Sequence, residues 1–386
     1  MLNLYGPINI LGYGIFFSSM AKELVEMTEC SITPISRATQ SLLTEKMRAA
    51  MDLSRFHRKA PSICFYHEFL LNNFTGSPMI GFPTFEGDRL GPAAQNLLDQ
   101  LDFILVPSKW AKDVVESQVA PPCCVVPEGV DPKIFHPEVQ PSRKYHDPSK
   151  FTIVNIGKFE KRKGSLDILE LMKGPLSKKS VRVLAMWTNP FIPQFGEYLG
   201  KILTDGGFKQ VPVANRYIFS HGKATLEVIP PVETQEEVAS IMKCGNLAVY
   251  PTRAEGWGLP ILETMSCGVP TIASYNTAMM DYLTEENSRM LKIFTEEAAE
   301  GGQAGNWQVP DPEELVQAVL DGIDGKVPIP PKDIAEQWSW HNAALKLKAT
   351  LIDTNIMSPE EFQCYESQEA QDQSTIDTDQ PNSQNS

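Results

Sequence analysis

Glu255-Gly-Trp-Gly-Leu-Pro-Ile-Leu-Glu263 is the stretch on which the fold turns. A short apolar run, Leu-Ala-Val-Tyr at 247–250, precedes it, and Thr-Met-Ser-Cys-Gly268-Val-Pro270 follows. The order reads as strand, glycine-rich turn, helix. Pro260 suits the first turn of that helix and Gly268 its end. Glu255 then lies on the loop before the helix and Glu263 within its first turn. Free N–H groups at a helix start attract phosphate, and a carboxylate accepts paired hydrogen bonds of the kind vicinal sugar hydroxyls donate. Two acids at a helix start also simply favour the helix dipole. Both glycines, the proline and the seven-residue gap together favour a ligand site.

Outward from this stretch the same alternation repeats. Residues 2–5, 62–66, 79–82, 102–106 and 124–126 are short apolar runs, and 15–25 has the spacing of a helix. A second set lies at 151–156, 181–185, 225–229, 247–250 and 271–273. Strands alternating with helices predict parallel sheets covered by helices. The expectation is an α/β chain of two doubly wound domains facing a cleft, joined by the polar, proline-bearing stretch 137–149. The 386 residues exceed what one core usually holds.

The net charge of −14 is uneven. No Lys or Arg follows Lys348, while eight acids do, which leaves −6 on residues 1–348. A mildly acidic body argues against a dedicated nucleic-acid or anionic-membrane binder. No apolar run reaches the length of a membrane span, and residues 1–6 lack the basic and apolar regions of a signal peptide. Seven cysteines without a CxxC read as reduced and cytoplasmic, with no metal-ligand spacing. The stretch 365–386 is mostly Ser, Gln, Asp and Asn, and is expected to be disordered.

Other stretches carry potential chemistry. Gly157-Lys158-Phe-Glu-Lys-Arg-Lys163-Gly164 places four cations in six residues directly after a strand, either a solvated turn or a phosphate site. Gly12-Tyr13-Gly14 precedes the helix expected near Ile15 and permits close backbone approach. Phe17 at the third glycine position excludes a dinucleotide fingerprint. His67 and Glu68 end a strand, at the edge where α/β folds bind ligands. Glu86 and Asp88, in Pro83-Thr-Phe-Glu-Gly-Asp-Arg89, suit either an acceptor hydroxyl or a salt bridge to Arg89. The one D-x-D, Asp377-Thr-Asp379, falls in the tail and reads as chance.

The Glu255/Glu263 pair resembles the E-x7-E pattern of the GT-B retaining glycosyltransferases of family 4, the group that includes sucrose synthases and many mannosyl- and glucosyltransferases. The resemblance extends to about Leu351. It implies a GT-B fold of two Rossmann-like domains: residues 1–140 on the acceptor side, 150–336 binding the donor, a helix at 337–353 returning to the first domain, and a disordered acidic tail at 358–386. The implied activity is transfer of a hexose from a nucleotide diphosphate sugar to an acceptor, with retention. Glu255 would contact donor-sugar hydroxyls and Glu263 the ribose. Lys158, in place of the usual arginine, and Lys163 would hold the diphosphate, with Gly12, Gly14, Gly256, Trp257, Gly258 and Leu259 around the donor. His67 would lie near the donor sugar, and Glu86 and Asp88 near the acceptor. No cofactor or metal is expected. The acceptor is unknown, and nucleic acid enters only as an acceptor. The rival readings are a viral-type DNA- or protein-modifying transferase, a GT-B sugar-phosphorylase and a non-catalytic nucleotide-sugar binder.

Overall fold

The computed structural model describes residues 1–71 and 74–362. Two parallel sheets carry the architecture. The first contains β1 (Leu2–Gly6), β2 (Cys30–Pro34), β3 (Ser62–Tyr66), β4 (Met79–Pro83), β5 (Phe103–Val106) and β6 (Cys123–Val125), in the order β2-β1-β3-β4-β5-β6. The second contains β7 (Phe151–Lys158), β8 (Val181–Thr188), β9 (Lys209–Val213), β10 (Arg216–His221), β11 (Ala224–Val228), β12 (Leu247–Tyr250), β13 (Thr271–Ser274) and β14 (Arg289–Leu291). Its order is β14-β13-β12-β7-β8-β11-β10-β9. Strand β10 alone runs against its neighbours in this sheet, pairing antiparallel with both β9 and β11. A separate antiparallel hairpin, β15 (Phe294–Ala298) and β16 (Asn306–Pro310), stands beside it.

The strands that the apolar runs predict are those whose residues are buried on both faces, as parallel sheets require. Strand β1 is buried throughout, and so are β5, β12 and β13. Strands β9 and β15 are absent from the sequence reading for the opposite reason. Both are largely exposed, so their side chains carry no apolar signal.

Four helices position the site. Helix α1 (Gly12–Met27) follows β1, and α2 (Ser165–Lys173) follows β7. Helix α3 (Leu259–Ser266) follows β12, and α4 (Trp340–Asp353) closes the chain against α1. Phe16 of α1 stacks on Trp340 at 6.1 Å, and His341 lies 3.1 Å from Glu23. One apolar core runs from Leu4 and Phe16 through Ile156 and Trp257 to Leu351, so the two lobes share buried surface.

Two boundaries differ from the sequence reading. Helix α1 begins at Gly12 rather than near Ile15, because Ile15 already donates to the Leu11 carbonyl. Gly12 and Gly14 are thus its first turn, not a preceding loop. Residues 359–362, expected to belong to the tail, are packed on the fold. Pro359–Phe362 forms a 3-10 turn, Phe362 is 2% exposed, and Thr28 Oγ1 donates to the Glu361 carbonyl at 2.8 Å. Residues 363–386, with Asp377 and Asp379, lie outside the described residues.

Candidate active site

The loops at the carboxyl ends of β7 and β12 face one another. They are the edge where open α/β sheets bind ligands. Arg253 ties them together: its N–H donates to the Arg162 carbonyl at 2.7 Å, and its guanidinium reaches the Lys161 carbonyl and Asp167. Behind this frame lies a recess lined by Asn155, Gly157, Lys163, Thr252, Glu255 and Pro260.

Glu255 is the anionic centre of the recess. Lys163 Nζ is 2.7 Å from its carboxylate and Arg162 Nη1 is 3.1 Å away. Burial alone would raise its pKa, but Lys163 and then Arg162 outweigh burial and hold it below the usual carboxylate value. Its backbone N–H donates to Thr277 Oγ1 at 3.0 Å. Thr277 itself sits at φ 47, a left-handed conformation that is costly for a β-branched residue. Nothing in the sequence marks Thr277, since such strain arises only from the packing around it.

Glu263 lies in the second turn of α3 rather than the first, as its fifth residue. It is 9% exposed, and burial raises its pKa to about 7. Gly258 caps the helix start at φ 94, where a side chain would be strained. In the first turn Pro260 has no N–H and the Ile261 N–H donates to the Gly258 carbonyl at 2.9 Å, which leaves the Leu259 N–H for a ligand. Gly256 is required by close approach: a Cβ there would stand 2.2 Å from Thr84 Cγ2 on the opposite lobe. Trp257 presents no side chain to the recess. Its indole packs on Tyr282 and Trp338 with Nε1 unpartnered, and Leu259 is likewise core. Both can serve a ligand only through their backbone.

Lys158 ends β7, 34% exposed, with Glu160 at 3.4 Å and the Phe191 ring at 5.6 Å. It is about as accessible as Lys161 and far more so than Arg162 or Lys163. On the first lobe, Tyr13 donates its single hydroxyl proton to the Thr84 carbonyl at 2.5 Å and lies 2.7 Å from His67 Nδ1. With that proton committed, His67 Nδ1 must be the donor, and in the neutral ring Nε2 keeps its lone pair. Burial lowers the His67 pKa, against a raising influence of Glu86, which favours the neutral ring. Gly14 is pinned by Asn9 beneath α1, while Gly12 faces open space.

Glu86 and Asp88 sit where the two lobes meet. Glu86 lies 3.3 Å from Arg162 and accepts from Gln303 Nε2 at 2.5 Å. Asp88 accepts from the Asn306 N–H at 2.6 Å. Both acids therefore hold the β15–β16 hairpin across the cleft, and the expected partner Arg89 makes neither contact. Two further carboxylates lie nearby: Glu68, which the sequence places beside His67 at the ligand edge, and Glu128, which the sequence reading missed as a site group. Glu68 rises to about 7 through burial, and its Oε2 has no partner; Glu128 is pushed well up by burial and by Glu255. Among the described residues, six buried side-chain polar atoms lack a partner, on Glu68, Thr84, His221, Thr252, Trp257 and Ser274. Those of Glu68, Thr84, Thr252 and Ser274 lie at or just beyond the carboxyl ends of β3, β4, β12 and β13, where a polar ligand would satisfy them. No group of three or more His, Cys, Asp or Glu among the described residues is placed to hold a metal.

A second hollow of about 560 Å³ opens at the ends of β8 and β11. Trp187, Thr188, Phe195, Arg216, Ile229 and Pro230 line it. Trp187 joins the two spaces, since its Nε1 donates to Asn155 Oδ1 of the recess at 2.6 Å. No helix among the described residues is long and apolar enough to cross a membrane.

Comparison with known proteins adds to this geometry. Residues 218–324, which include Glu255 and Glu263, match the family model of the Glycosyl transferases group 1. The chain is 27% identical over 154 residues to D-inositol 3-phosphate glycosyltransferase of Segniliparus rotundus, covering 39% of this chain and 31% of that one. It is 46% identical over 44 residues to O-antigen chain mannosyltransferase B of Escherichia coli, covering 11% of this chain and 12% of that one. The chain thus spans about a third of the length, or less, of the curated relatives it matches. Solved structures are similar over nearly all of it. Sucrose-phosphate synthase from Thermosynechococcus elongatus superposes with TM-score 0.64 at 14% identity, over 92% of this chain and 98% of that one. Anabaena HepE in complex with UDP-glucose gives 0.63 at 13%, over 92% and 100%. These likenesses establish the fold, GT-B, with two Rossmann-like halves.

Proposed function

We propose that the chain is a retaining glycosyltransferase of the family 4 type, moving a hexose from a nucleotide diphosphate sugar to an acceptor. The observation that carries this reading is convergence. Glu255 and Lys163 come from two separate stretches and pair in the one recess at the β7 and β12 ends, and Glu263 lies buried on the helix that follows Glu255. The relatives matched over part of the chain are glycosyltransferases by name, and the HepE structure is a complex with UDP-glucose.

In this reading the nucleoside base occupies the 560 Å³ hollow, which is in the size range of small-molecule sites. Glu263 accepts from the ribose hydroxyls and Glu255 from hydroxyls of the sugar. Lys163, Lys158 and the Leu259 N–H at the start of α3 take the diphosphate, which gains charge as the glycosidic bond breaks. His67 faces the sugar from the first lobe with its Nε2 lone pair. Glu255, already paired with two cations, orients rather than attacks. The acceptor oxygen therefore bonds to the anomeric carbon on the face that the phosphate leaves, and its proton passes to the departing phosphate oxygen. No metal is assigned, because the cations and the Leu259 N–H suffice for the phosphates. The six cysteines among the described residues are free thiols, which suits a reducing cytoplasm.

The test is donor turnover. UDP- and GDP-sugars are incubated without acceptor, and release of the nucleoside diphosphate is followed with and without EDTA. Hydrolysis that survives chelation supports the reading. A requirement for inorganic phosphate would indicate a phosphorylase, and bound donor without any turnover would indicate a binder.

A further inference from the structure

We propose that Arg162 is a positioning residue of the donor site: a fixed cation that keeps the Glu255 carboxylate paired and in place when Lys163 leaves it for the donor's diphosphate. This rests on the donor reading above and extends it to a residue outside the matched G-x5-K-G cations.

The two cations beside Glu255 are held differently. Lys163 has a flexible four-carbon stem, 17% side-chain exposure and a place in the lining of the recess. It can swing. Arg162 cannot. Its guanidinium is 7% exposed and has four acceptors: the Ala254 carbonyl at 2.7 Å, Glu160 at 2.8 Å, Glu255 at 3.1 Å and Glu86 at 3.3 Å. Its own carbonyl is fixed by the Arg253 N–H. A planar fork satisfied on two sides stays where it is, whereas an ammonium is a movable point charge.

Glu255 has a mobile partner and an immobile one for a physical reason. When phosphate takes Lys163, a carboxylate that is 4% exposed would lose its counterion were Arg162 absent. A buried acid in that position takes up a proton and loses part of its capacity to accept hydrogen bonds. The surrounding charges sharpen the need, since Glu128 and Tyr282 both feel Glu255, Glu263 lies on the following helix, and Glu86 and Glu160 share the guanidinium. Among the described residues, the cations that pair with Glu255 are Lys163 and Arg162. Through Glu86 the same guanidinium also reaches the first lobe, so the carboxylate aimed at the sugar is registered against both halves of the cleft.

The experiment is a double-mutant cycle read by calorimetry with UDP and UDP-glucose on the full chain. Arg162→Met should weaken UDP-glucose about tenfold, the loss expected for a disturbed charged hydrogen bond, while UDP itself changes less than twofold. Glu255→Gln should do the same. The double variant should bind no worse than either single, because one residue acts through the other. Equal losses for UDP and UDP-glucose, unchanged UDP-glucose affinity, or additive losses in the double variant would overturn the proposal. If Arg162→Met fails to fold, Arg162→Lys and the double variant, which removes one orphaned carboxylate, carry the same comparison. A second measurement needs no donor. Carboxyl-carbon NMR, with Glu255 assigned by difference against Glu255→Gln, should show Glu255 still titrating below the ordinary carboxylate value in Lys163→Met. Titration at or above the ordinary value there would sink the role of Arg162. Absence of any UDP-glucose preference in the wild type would instead sink the donor reading, leaving the titration to decide the pairing.

Discussion

The charged loop after β7 and the charged loop after β4 face each other across the cleft, and they are built in opposite ways. Residues 158–164 find most of their partners within the second lobe: Lys163 and Arg162 on Glu255, Lys161 on Glu297 and Glu300. Residues 84–88 find theirs mostly outside the first lobe: Glu86 on Arg162 and Gln303, Asp88 on Asn306, and Thr84 against Gly256. The loop after β7 is thus organised mostly within its own lobe, while residues 84–88 take their shape where the lobes meet. On the proposed reading, donor would bind first on the ready surface and the acceptor face would form in the closed arrangement.

Breaking the ready half has the largest expected effect. Lys163→Ala removes a mobile cation from the recess and leaves Glu255 on Arg162 alone. Affinity for UDP should fall tenfold or more, roughly 1.5–3 kcal/mol, in a calorimetric titration. Undiminished UDP binding would mean that the phosphate lies elsewhere.

Next comes pH. Burial raises the Glu263 pKa to about 7, above its unfolded value. Between the ordinary carboxylate value and about 7 the folded protein holds a proton that the unfolded chain has released, so stability falls as pH rises through that window. Glu263→Gln should therefore be more stable than the wild type at pH 8, by on the order of 1–3 kcal/mol in urea, and equal to it near pH 4. Nucleotide affinity should move the other way, rising from pH 6 to 8 in the wild type and flat in Glu263→Gln. A wild-type affinity flat over that range would remove Glu263 from the ribose.

The dependent half should yield more gently. Asp88→Ala removes one hydrogen bond to the hairpin, worth about 0.5–1.5 kcal/mol. Amide exchange at residues 299–306 should quicken while exchange in β7 and β12 stays as it was. Equal quickening in both places would mean that the two loops form one unit and the contrast between them is false.

Ending the chain at Gln363 is expected to do least. It keeps the buried Phe362 and the Thr28–Glu361 hydrogen bond. The melting temperature and donor turnover should match those of the full chain, and lost turnover in a folded truncation would bring Asp377 and Asp379 back into question.

The same contrast explains what the sequence discloses. Glu255, Glu263 and Lys163 are legible because one strand-turn-helix unit fixes each, so spacing along the chain already encodes position. The strands of both sheets are legible where both faces are buried. Glu86 and Asp88 read as plausible polar groups, but their partners lie 217 and 218 residues away, a distance no local pattern spans. Arg162 looks like one more surface cation until three carboxylates and a carbonyl close round it. Strand β15 of the hairpin that holds Glu86 and Asp88 is polar and largely exposed, so no apolar periodicity announces it.

Helix α4 on α1 has a consequence for the order in which the chain matures. Phe16, Met20 and Leu24 belong to the same core as Trp340, Ala343, Ala344 and Leu347, so the cover of α1 is synthesised long after α1 itself. As the nascent polypeptide leaves the ribosome, residues 1–140 have their strands but not their roof. That portion must wait with an apolar strip uncovered, the condition in which chaperones bind and aggregation starts. A fragment cut at residue 140 should accordingly self-associate, and supplying residues 340–362 in trans should restore it to a monomer.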